Sequence, residues 1–558
     1  MEYFKKYVID VLEKEIGEFD HTLIEIPKKT EYGDFSFPCF SLSKKLKKSP
    51  IEIAKELATK LDKGKYIKKI EPFNAYINFF INDCEIVKFV LNEKNYNKSL
   101  NIENKKIMIE YSSPNTNKPL HLGHLRNILL GSCISKLRKK INDEVIESSL
   151  INDRGVHICK SMLMYLKYGE NKEPTKKPDH YVGDFYVMFN NELQKNPNLE
   201  KEAQDLLVKW ENNDPKIIEV WKKMNNWAIS GFNETYEKLN VSFDKFYYES
   251  KIYKEGKNII KEAFNNGILV KEDGAIVADL EKYNLGKKVL LRKDETTLYM
   301  TQDIYLAKLK FDEYNLDESL YVVASEQNNH FNQLFKILEL LNFDSVKKCN
   351  HLSYGMVYLP EGKMKSREGT VVDADNIIDE VINLAKTEIK NRYDDLDEQE
   401  INERSKKIGL CALKFFLLKI DPIKDMTYNP KESISFDGET GPYIQYTYAR
   451  LSNIVNKANY KLDENINYDL FSYNEILLIK RLSNFQTVIL QSSLNYKPSI
   501  LCRYLLDLSQ ELNEYYHNTP ILKSDYDLKN ARLLLIEFSR KVIKDSLELL
   551  GIDVLDRM

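Results

Sequence analysis

A strand, a loop and a helix follow one another between residues 106 and 137, and this succession constrains the fold of the 558-residue chain more than any other feature. Residues 106–113 centre on three consecutive apolar side chains, which predicts a short buried strand. Two prolines and several Asn and Thr residues predict a loop over residues 114–120. Apolar side chains then recur at helical spacing, at Leu125, Ile128, Leu129, Cys133 and Leu137. Such a unit opens a doubly wound α/β domain with a parallel sheet.

The loop leads into His121-Leu122-Gly123-His124, at the place where a doubly wound fold binds its ligands. The free N–H groups of a helix N-terminus favour anionic phosphate, and Gly123 lets a flat nucleotide ring approach the backbone. His121 and His124 are three residues apart, so both lie on one side of the first turn and can donate to phosphate oxygens. The alternative is a surface loop that holds two histidines without a function.

A second stretch with phosphate-binding character follows a predicted strand over residues 351–359. Gly362 and Gly369 bracket a basic loop that contains Lys363, Met364, Lys365, Ser366 and Arg367. A cationic loop can close over the charge that develops on a leaving pyrophosphate. An ordinary basic hairpin is the alternative interpretation.

Other predicted strand ends carry polar side chains that suit a cationic substrate. Glu110 ends the first strand, and Gln327 follows a later apolar strand within a polar cluster. Asp303 comes one helical turn after Tyr299. Two acids that face one pocket can hold a guanidinium in charge-assisted pairs. The alternative for Asp303 is a cap of the helix predicted to begin at Ile304.

Composition narrows the class of protein. Hydrophobic residues make up 43% of the chain, the net charge is −3, and no apolar window approaches the length of a membrane span. The amphipathic, acid-bearing N-terminal helix is unlike a signal or transit peptide, so we expect a cytoplasmic protein. The seven scattered cysteines form no CxxC pair, which predicts reduced core thiols and no structural zinc.

The pattern divides the chain into three predicted domains. Residues 1–104 predict a small α+β module with a strand at 71–82, and residues 105–400 predict the α/β domain, in which Asp153 is placed to cap a helix. Residues 401–558 predict an all-α bundle. A helical insertion at about 170–230 carries no recognisable chemistry.

Two groups of side chains suit RNA, although each has a structural alternative. The lysines of the first module can neutralise phosphates or form a solvated face, and they include Lys44, Lys45, Lys47 and Lys48. Tyr443 and Tyr446 belong to a tyrosine stripe that can pack internally or stack on bases.

Long strings around these residues resemble one enzyme family. SSPNTNKPLHLGHLRN, residues 112–127, resembles the HIGH signature of class I aminoacyl-tRNA synthetases in its arginyl form. GDFSFPCFSLSKKLKKSPIEIAKEL is similar to that family's N-terminal tRNA-binding domain, and TGPYIQYTYARL resembles the start of its anticodon-binding domain. Lys363 and Met364 match the KMSKS signature, but Ser366 stands where a second lysine is usual.

The resemblance implies an arginine–tRNA ligase with a Rossmann-like catalytic domain. L-Arginine would react with ATP to arginyl-adenylate and pyrophosphate, and arginine would pass to the 3′-terminal adenosine of tRNA(Arg). Mg²⁺ would arrive on ATP, with no protein nucleophile and no metal-binding residues. We expect a monomer without membrane contact.

The resemblance also assigns residues. The catalytic residues would be Lys118, His121, His124 and Lys363, and the ATP-binding residues His121, Gly123, His124, Lys363, Met364, Lys365 and Ser366. The arginine pocket would comprise Glu110, Ser113, Asn115, His121, Tyr299, Asp303 and Gln327. The tRNA contacts would include Lys44, Lys45, Lys47, Lys48, Tyr443, Tyr446 and Arg450. Because Ser366 replaces a lysine, we expect Lys118 and Lys363 to share the pyrophosphate charge.

Two other functions are consistent with the sequence. A class I ligase for lysine would need a similar cation pocket, and only the pocket residues and the C-terminal string argue against it. A catalytically silent tRNA-binding paralogue is disfavoured because His121, His124, Lys118 and Lys363 are all present.

Overall fold

The computed structural model describes residues 1–27, 29–96, 103–360, 372–459 and 466–558. No helix in these ranges is both long and apolar enough to cross a membrane. Its strands are β1 (Phe35–Pro38), β2 (Ile67–Phe73), β3 (Tyr76–Ile81), β4 (Lys106–Glu110), β5 (Glu144–Ile151), β6 (Lys245–Tyr248), β7 (Val270–Glu272), β8 (Ala275–Asp279), β9 (Lys287–Leu291), β10 (Glu318–Ala324), β11 (Cys349–Tyr354), β12 (Val357–Tyr358) and β13 (Met426–Thr427).

Helices make up most of the remaining structure. In the first half of the chain they are α1 (Glu2–Ile16), α2 (Ser43–Leu46), α3 (Pro50–Lys60), α4 (Asp83–Val90), α5 (Glu93–Tyr96), α6 (Leu122–Lys140), α7 (Val156–Tyr168), α8 (Pro178–Leu193), α9 (Leu199–Glu211), α10 (Pro215–Leu239) and α11 (Glu249–Asn265). In the second half they are α12 (Tyr299–Tyr314), α13 (Asn328–Leu340), α14 (Ala374–Arg392), α15 (Glu398–Leu418), α16 (Pro430–Ser433), α17 (Gly441–Ala458), α18 (Tyr473–Leu482), α19 (Phe485–Leu494), α20 (Pro498–Asn518) and α21 (Tyr526–Leu549).

A five-stranded parallel sheet forms the centre of the molecule, in the order β11-β10-β4-β5-β6. Its middle strand β4 is apolar on both faces, and Ile107, Met108 and Ile109 are fully buried. Helices cover both faces of such a sheet because parallel strands need crossover connections. The predicted doubly wound α/β class, with an N-terminal module and a C-terminal helical bundle, is confirmed.

The N-terminal module contains an antiparallel sheet in the order β1-β3-β2. The single strand predicted over residues 71–82 is wrong, because β2 and β3 form a hairpin there. Asn74 adopts a left-handed conformation with φ 51° in the two-residue turn. An Asn-Ala turn carries a weaker hairpin signal than Asn-Gly, which explains why the sequence pattern missed it.

Asp153 does not cap the helix that follows it. The helix α7 begins at Val156 after Gly155, and no side chain caps it. The Asp153 carboxylate instead accepts the backbone N–H of Ser250 at 2.9 Å and the Ser250 hydroxyl at 2.7 Å. It therefore fixes the start of α11 against the carboxyl edge of the sheet, a contact between residues far apart in sequence.

A second buried anchor joins α6 to the chain beyond the sheet. Arg126, which is almost fully buried, donates to four backbone carbonyl oxygens. Its acceptors are Gly355, Met356, Pro422 and Lys424, at 2.5, 3.2, 3.3 and 2.8 Å. Because α6 begins beside His121, this arginine fixes the segment around β12 and β13 relative to the first loop.

Replacing Arg126 by Met should lower the free energy of unfolding by about 3 kcal/mol, since two buried and two partly buried carbonyl groups lose their donor. Urea unfolding followed by circular dichroism measures this change. The exposed Arg503, which pairs with Glu439 and Asp507, provides a matched control. Arg503→Met should change stability by about 0.5 kcal/mol or less. Equal effects of the two substitutions would contradict the anchoring role of Arg126.

Candidate active site

The carboxyl edge of the parallel sheet opens into two adjoining cavities. The larger has a volume of about 500 Å³ and the smaller about 160 Å³, and both are lined by Lys118 and Tyr186. A cavity of about 730 Å³ lies elsewhere, between the N-terminal module and the C-terminal bundle, and is lined by none of the predicted site residues. The sheet edge is therefore the candidate active site.

Most of the predicted arginine-binding residues meet in the larger cavity. Six of the seven line it, namely Glu110, Ser113, Asn115, Tyr299, Asp303 and Gln327. The seventh, His121, lines the smaller cavity. Residues from the ends of β4 and β10 and from the start of α12 are thus brought to one place, as the doubly wound topology requires.

The helix α12 presents Tyr299 and Asp303 on one face. It begins at Tyr299 after Leu298, so the alternative interpretation of Asp303 as a helix cap is wrong. The Nε2 atom of His330 lies 2.6 Å from one oxygen of the Asp303 carboxylate. His330, which also lines the larger cavity, fixes the orientation of this carboxylate.

Glu110 already has a cationic partner inside the protein. Its carboxylate lies 2.7 Å from the Nζ atom of Lys310, and the Lys310 side chain is fully buried. Lys310 also lies 4.0 Å from the ring centroid of Tyr321, a cation–π contact. Of the two acids in the larger cavity, Glu110 is therefore balanced by an internal lysine, and Asp303 carries the charge available to a cationic ligand.

The loop after β4 has an uncommon backbone. Ser112 and Ser113 both adopt left-handed conformations, with φ 67° and 45°, which end the strand earlier than predicted. The Ser113 hydroxyl accepts the N–H of Leu150 at 3.2 Å, and Asn152 donates to the Ser113 carbonyl at 3.0 Å. These bonds stabilise a strained loop beside the cavity, where such conformations commonly occur.

The two histidines of the HLGH sequence cap α6 reciprocally. The Nδ1 atom of His121 accepts the N–H of Gly123, and the Nδ1 atom of His124 accepts the N–H of His121, both at 3.1 Å. Burial and the nearby Lys118 lower the pKa of His121 to about 3, and burial, with His121 and Lys118, lowers the pKa of His124 well below its usual value. Both rings are therefore neutral at pH 7, with the proton on Nε2, and the Nε2–H groups can donate to an anion.

Lys118 stands where the two cavities join. Burial lowers the pKa of its ammonium group, because the charged form loses hydration there. A bound phosphate would stabilise the charged ammonium group in place of the lost water. Lys118 is therefore well placed to bind an anion that spans both cavities.

Val372 and Ala374, which follow the second basic loop, lie beside the HLGH loop. Leu122 donates its N–H to the Val372 carbonyl at 3.2 Å, and Ala374 donates to Leu120 at 2.9 Å. The predicted phosphate-binding residues Lys363, Met364, Lys365 and Ser366 lie outside the described residues. The described chain on their C-terminal side is thus hydrogen-bonded to the first phosphate-binding loop.

The sequence did not predict several of the side chains that lie at the site. His330 lies in the polar cluster after β10, but its position in the sequence indicated no role in binding. Lys310 lies within a helix, and no sequence pattern distinguishes it from a surface lysine. Tyr186 and His157 come from α8 and α7, and both line the larger cavity. Only the folded topology brings these residues to the sheet edge.

The residues predicted to contact tRNA lie far from these cavities in sequence. Lys44, Lys45, Lys47 and Lys48 are exposed, but Lys45 donates to the Ile16 carbonyl at 3.1 Å and Lys48 pairs with Glu56 at 2.6 Å. In the bundle, the Arg450 guanidinium lies 4.7 Å from the ring centroid of Tyr446 and 4.8 Å from that of Tyr516. Tyr443 is half-buried and Tyr446 is exposed.

Three family descriptions match successive parts of the chain. "Arginyl tRNA synthetase N terminal domain" matches residues 2–81, "tRNA synthetases class I (R), catalytic domain" matches residues 85–429, and "DALR anticodon binding domain" matches residues 444–558. The catalytic description alone covers more than half of the sequence. The chain belongs to the class I arginyl-tRNA synthetases.

Individual members of the arginyl-tRNA synthetase family are similar over nearly the whole length. The chain is 43% identical to the arginine–tRNA ligases of Parabacteroides distasonis and Treponema denticola, covering 95% and 96% of this chain and 94% of each relative. The fold matches Thermus thermophilus arginyl-tRNA synthetase over the full length of both chains, with a TM-score of 0.80 and 24% identity. The Plasmodium falciparum arginyl-tRNA synthetase gives a TM-score of 0.81 at 20% identity, covering 100% of this chain and 99% of that one.

Replacing Lys310 by Met should lower the free energy of unfolding by about 3–5 kcal/mol, because it leaves the buried Glu110 carboxylate unpaired. The double variant Lys310→Met/Glu110→Gln should recover part of this loss, since no unpaired charge then remains. Chemical unfolding of the wild type, both single variants and the double variant completes the cycle. Additive effects of the two substitutions would contradict a direct ion pair.

The histidine pair should make stability depend on pH. An unfolded histidine binds a proton near pH 6.5, whereas the folded pair stays neutral, so unfolding takes up protons between about pH 6.5 and pH 3. The free energy of unfolding should therefore fall with decreasing pH by about 1.4 kcal/mol per pH unit for each histidine. His121→Asn/His124→Gln keeps both capping groups but cannot titrate, and its pH dependence should be shallower over this range. Parallel curves for the two proteins would contradict buried, neutral histidines.

Proposed function

We propose that this protein is an arginine–tRNA ligase whose chemistry takes place in the two joined cavities at the sheet edge. It activates L-arginine with ATP to arginyl-adenylate and pyrophosphate, and then transfers arginine to the 3′-terminal adenosine of tRNA(Arg). The observation that carries this proposal is that six of the predicted arginine-binding residues line one cavity, which shares Lys118 with the cavity beside His121.

The larger cavity holds arginine. Asp303, oriented by His330, accepts the guanidinium, and the Tyr299 hydroxyl lies on the same helical face. Glu110, Ser113, Asn115 and Gln327 supply the remaining polar contacts of the pocket. The Asp303 carboxylate, which contacts His330 but no lysine or arginine side chain of the described residues, favours a ligand whose side chain carries one positive charge. A planar carboxylate favours a guanidinium over an ammonium because the two groups can pair through two parallel hydrogen bonds.

The smaller cavity and its surroundings hold the phosphates of ATP. An arginine carboxylate oxygen attacks the α-phosphorus, a new O–P bond forms, and the bond to the β-phosphate oxygen breaks to release pyrophosphate. The neutral Nε2–H groups of His121 and His124 donate to phosphate oxygens, and Gly123 allows the nucleotide to approach the backbone. Lys118 and Lys363 share the charge of the pyrophosphate, and Met364, Lys365 and Ser366 complete the ATP contacts.

Magnesium enters this reaction with ATP rather than as a resident ion. Asp179, His180 and Asp375 bring ligand atoms within 4.8 Å of one another, the spacing that a metal site needs. However, the Nζ atoms of Lys177 and Lys238 already lie 2.6 and 2.8 Å from the two Asp375 oxygens. Two lysines in this position oppose a cation, so the group does not fit a dedicated magnesium site.

The other modules bind tRNA(Arg). Lys44, Lys45, Lys47 and Lys48 contact the phosphate backbone, and the bundle presents Tyr443, Tyr446 and Arg450 to the anticodon region. The protein acts in the cytoplasm as a monomer and needs no zinc. The domains divide at about residues 104 and 400.

Aminoacylation assays with each of the twenty amino acids, ATP and tRNA test the proposal. Arginine alone should be attached to tRNA, and ATP–pyrophosphate exchange with arginine should require tRNA. Equal activity with lysine would instead identify a lysine ligase, and tRNA binding without adenylate formation would identify a silent paralogue.

Asp303→Asn should raise the KM for arginine by about 10- to 150-fold, because a charge-assisted hydrogen bond contributes about 1.5–3 kcal/mol. The KM for ATP should change little, since Asp303 lines the other cavity. Asp312 lies on the same helix in an exposed ion pair with Lys308, and Asp312→Asn is the matched control. An unchanged KM for arginine in Asp303→Asn would refute the assigned guanidinium site.

A further inference from the structure

The helix α8 packs against both of the segments that meet at the HLGH loop. Its sequence alone indicated no catalytic or binding role. At one side it contacts the loop before His121, and at its N-terminus it contacts the turn that starts α14. These two segments are themselves hydrogen-bonded through Leu120, Leu122, Val372 and Ala374. The helix therefore contacts both partners of a single backbone junction.

The first contact is a buried network of charges at the N-terminus of α8. Lys177 donates to Asp375 at 2.6 Å and to Thr235 at 2.6 Å, and Asp375 also accepts from Lys238 at 2.8 Å. The His180 Nε2 atom lies 3.1 Å from the Asp373 carboxylate and 3.3 Å from that of Asp375.

These carboxylates hold His180 in its charged form. Hydrogen bonds to Asp373 and Asp375 raise the pKa of His180 to about 9, although burial opposes the shift. Burial alone would raise the pKa of Asp375, but its contacts with His180, Lys177 and Lys238 lower it overall. The remaining carboxyl of the network belongs to Asp179, whose pKa burial raises.

The second contact is a close backbone approach at Gly183. A Cβ atom added there would lie 2.7 Å from the Cδ atom of Pro119, closer than side chains tolerate. Lys118 precedes this proline, and its Cα atom would lie 3.6 Å from the same Cβ. Glycine in the middle of a helix lowers stability relative to alanine. Packing explains its presence here, because a residue without a Cβ atom lets α8 approach the Lys118–Pro119 loop closely.

We propose that α8 is a brace that sets the position of the HLGH loop for ATP activation, with Lys177, His180 and Gly183 as its positioning residues. Lys177 and His180 fix the Asp373–Asp375 turn, and this turn fixes Leu120 and Leu122 through backbone hydrogen bonds. Gly183 sets the distance of α8 from Lys118. The proposal rests on the proposed function for the reaction that the site carries out, whereas the effect of α8 on ATP binding is measured independently of that reaction.

Two variants test the brace by different physical routes. His180→Gln keeps a hydrogen-bond donor but removes the charge that both carboxylates share. Gly183→Ala adds one methyl group against Pro119, and because alanine favours helices it should leave the fold intact. Lys195→Met removes an exposed ion pair with Glu192 just beyond the end of α8 and is the control.

Calorimetric titration with MgATP and tRNA-dependent ATP–pyrophosphate exchange should be measured for all four proteins. We expect His180→Gln and Gly183→Ala to weaken ATP binding and to lower the exchange rate by about 10- to 100-fold, since small displacements of positioning groups have effects of this order. The KM for arginine should stay close to the wild-type value in both variants. The unfolding midpoint should fall in His180→Gln, because the charge that Asp373 and Asp375 share is lost, so Gly183→Ala is the variant that separates ATP binding from stability. Lys195→Met should match the wild type in every measurement.

Other outcomes would overturn the proposal. Wild-type ATP affinity in both variants would show that α8 does not position the loop. Equal losses in ATP affinity, arginine KM and stability would show a structural role alone. Failure of the wild type to activate arginine would refute the proposed function, whereas the titrations with ATP would still decide whether the brace exists.

Discussion

The reciprocal cap at the start of α6 is the interaction on which the rest of the site depends. Each histidine of the pair uses its Nδ1 atom to accept a backbone N–H, which fixes both rings and leaves both Nε2–H groups as donors. Burial keeps the rings neutral, so they act as hydrogen-bond donors rather than as charges. The same two side chains thus begin the helix, and in the proposed reaction their Nε2–H groups bind phosphate.

Charge is distributed unevenly around this cap, and in the proposed reaction this distribution separates the two substrates. The buried Lys310 balances Glu110, while His330 orients Asp303 without enclosing it. Lys118 lines both cavities. In the proposed reaction the larger cavity holds the cationic side chain, the smaller one holds the phosphates, and the arginine carboxylate lies between them.

Local patterns predicted the central elements, and long-range contacts account for what they missed. The apolar runs of β4, β5 and β10 were sufficient to indicate the sheet, whereas the full set of residues assigned to arginine came from the family resemblance. Hydrophobic periodicity does not show that Asp153 binds Ser250 or that Lys310 reaches Glu110, because these partners are distant in sequence. Nor does it show that Ser112 and Ser113 adopt left-handed conformations, or that α8 contacts the HLGH loop.

A crystal structure with arginine and a non-hydrolysable ATP analogue tests the central claim most directly. Phosphate oxygens should lie about 3 Å from the Nε2 atoms of both HLGH histidines, and the guanidinium should lie against the free side of the Asp303 carboxylate. The arginine carboxylate should then face the α-phosphate next to Lys118. Phosphates bound away from the histidine pair, or a guanidinium that does not contact Asp303, would contradict the account.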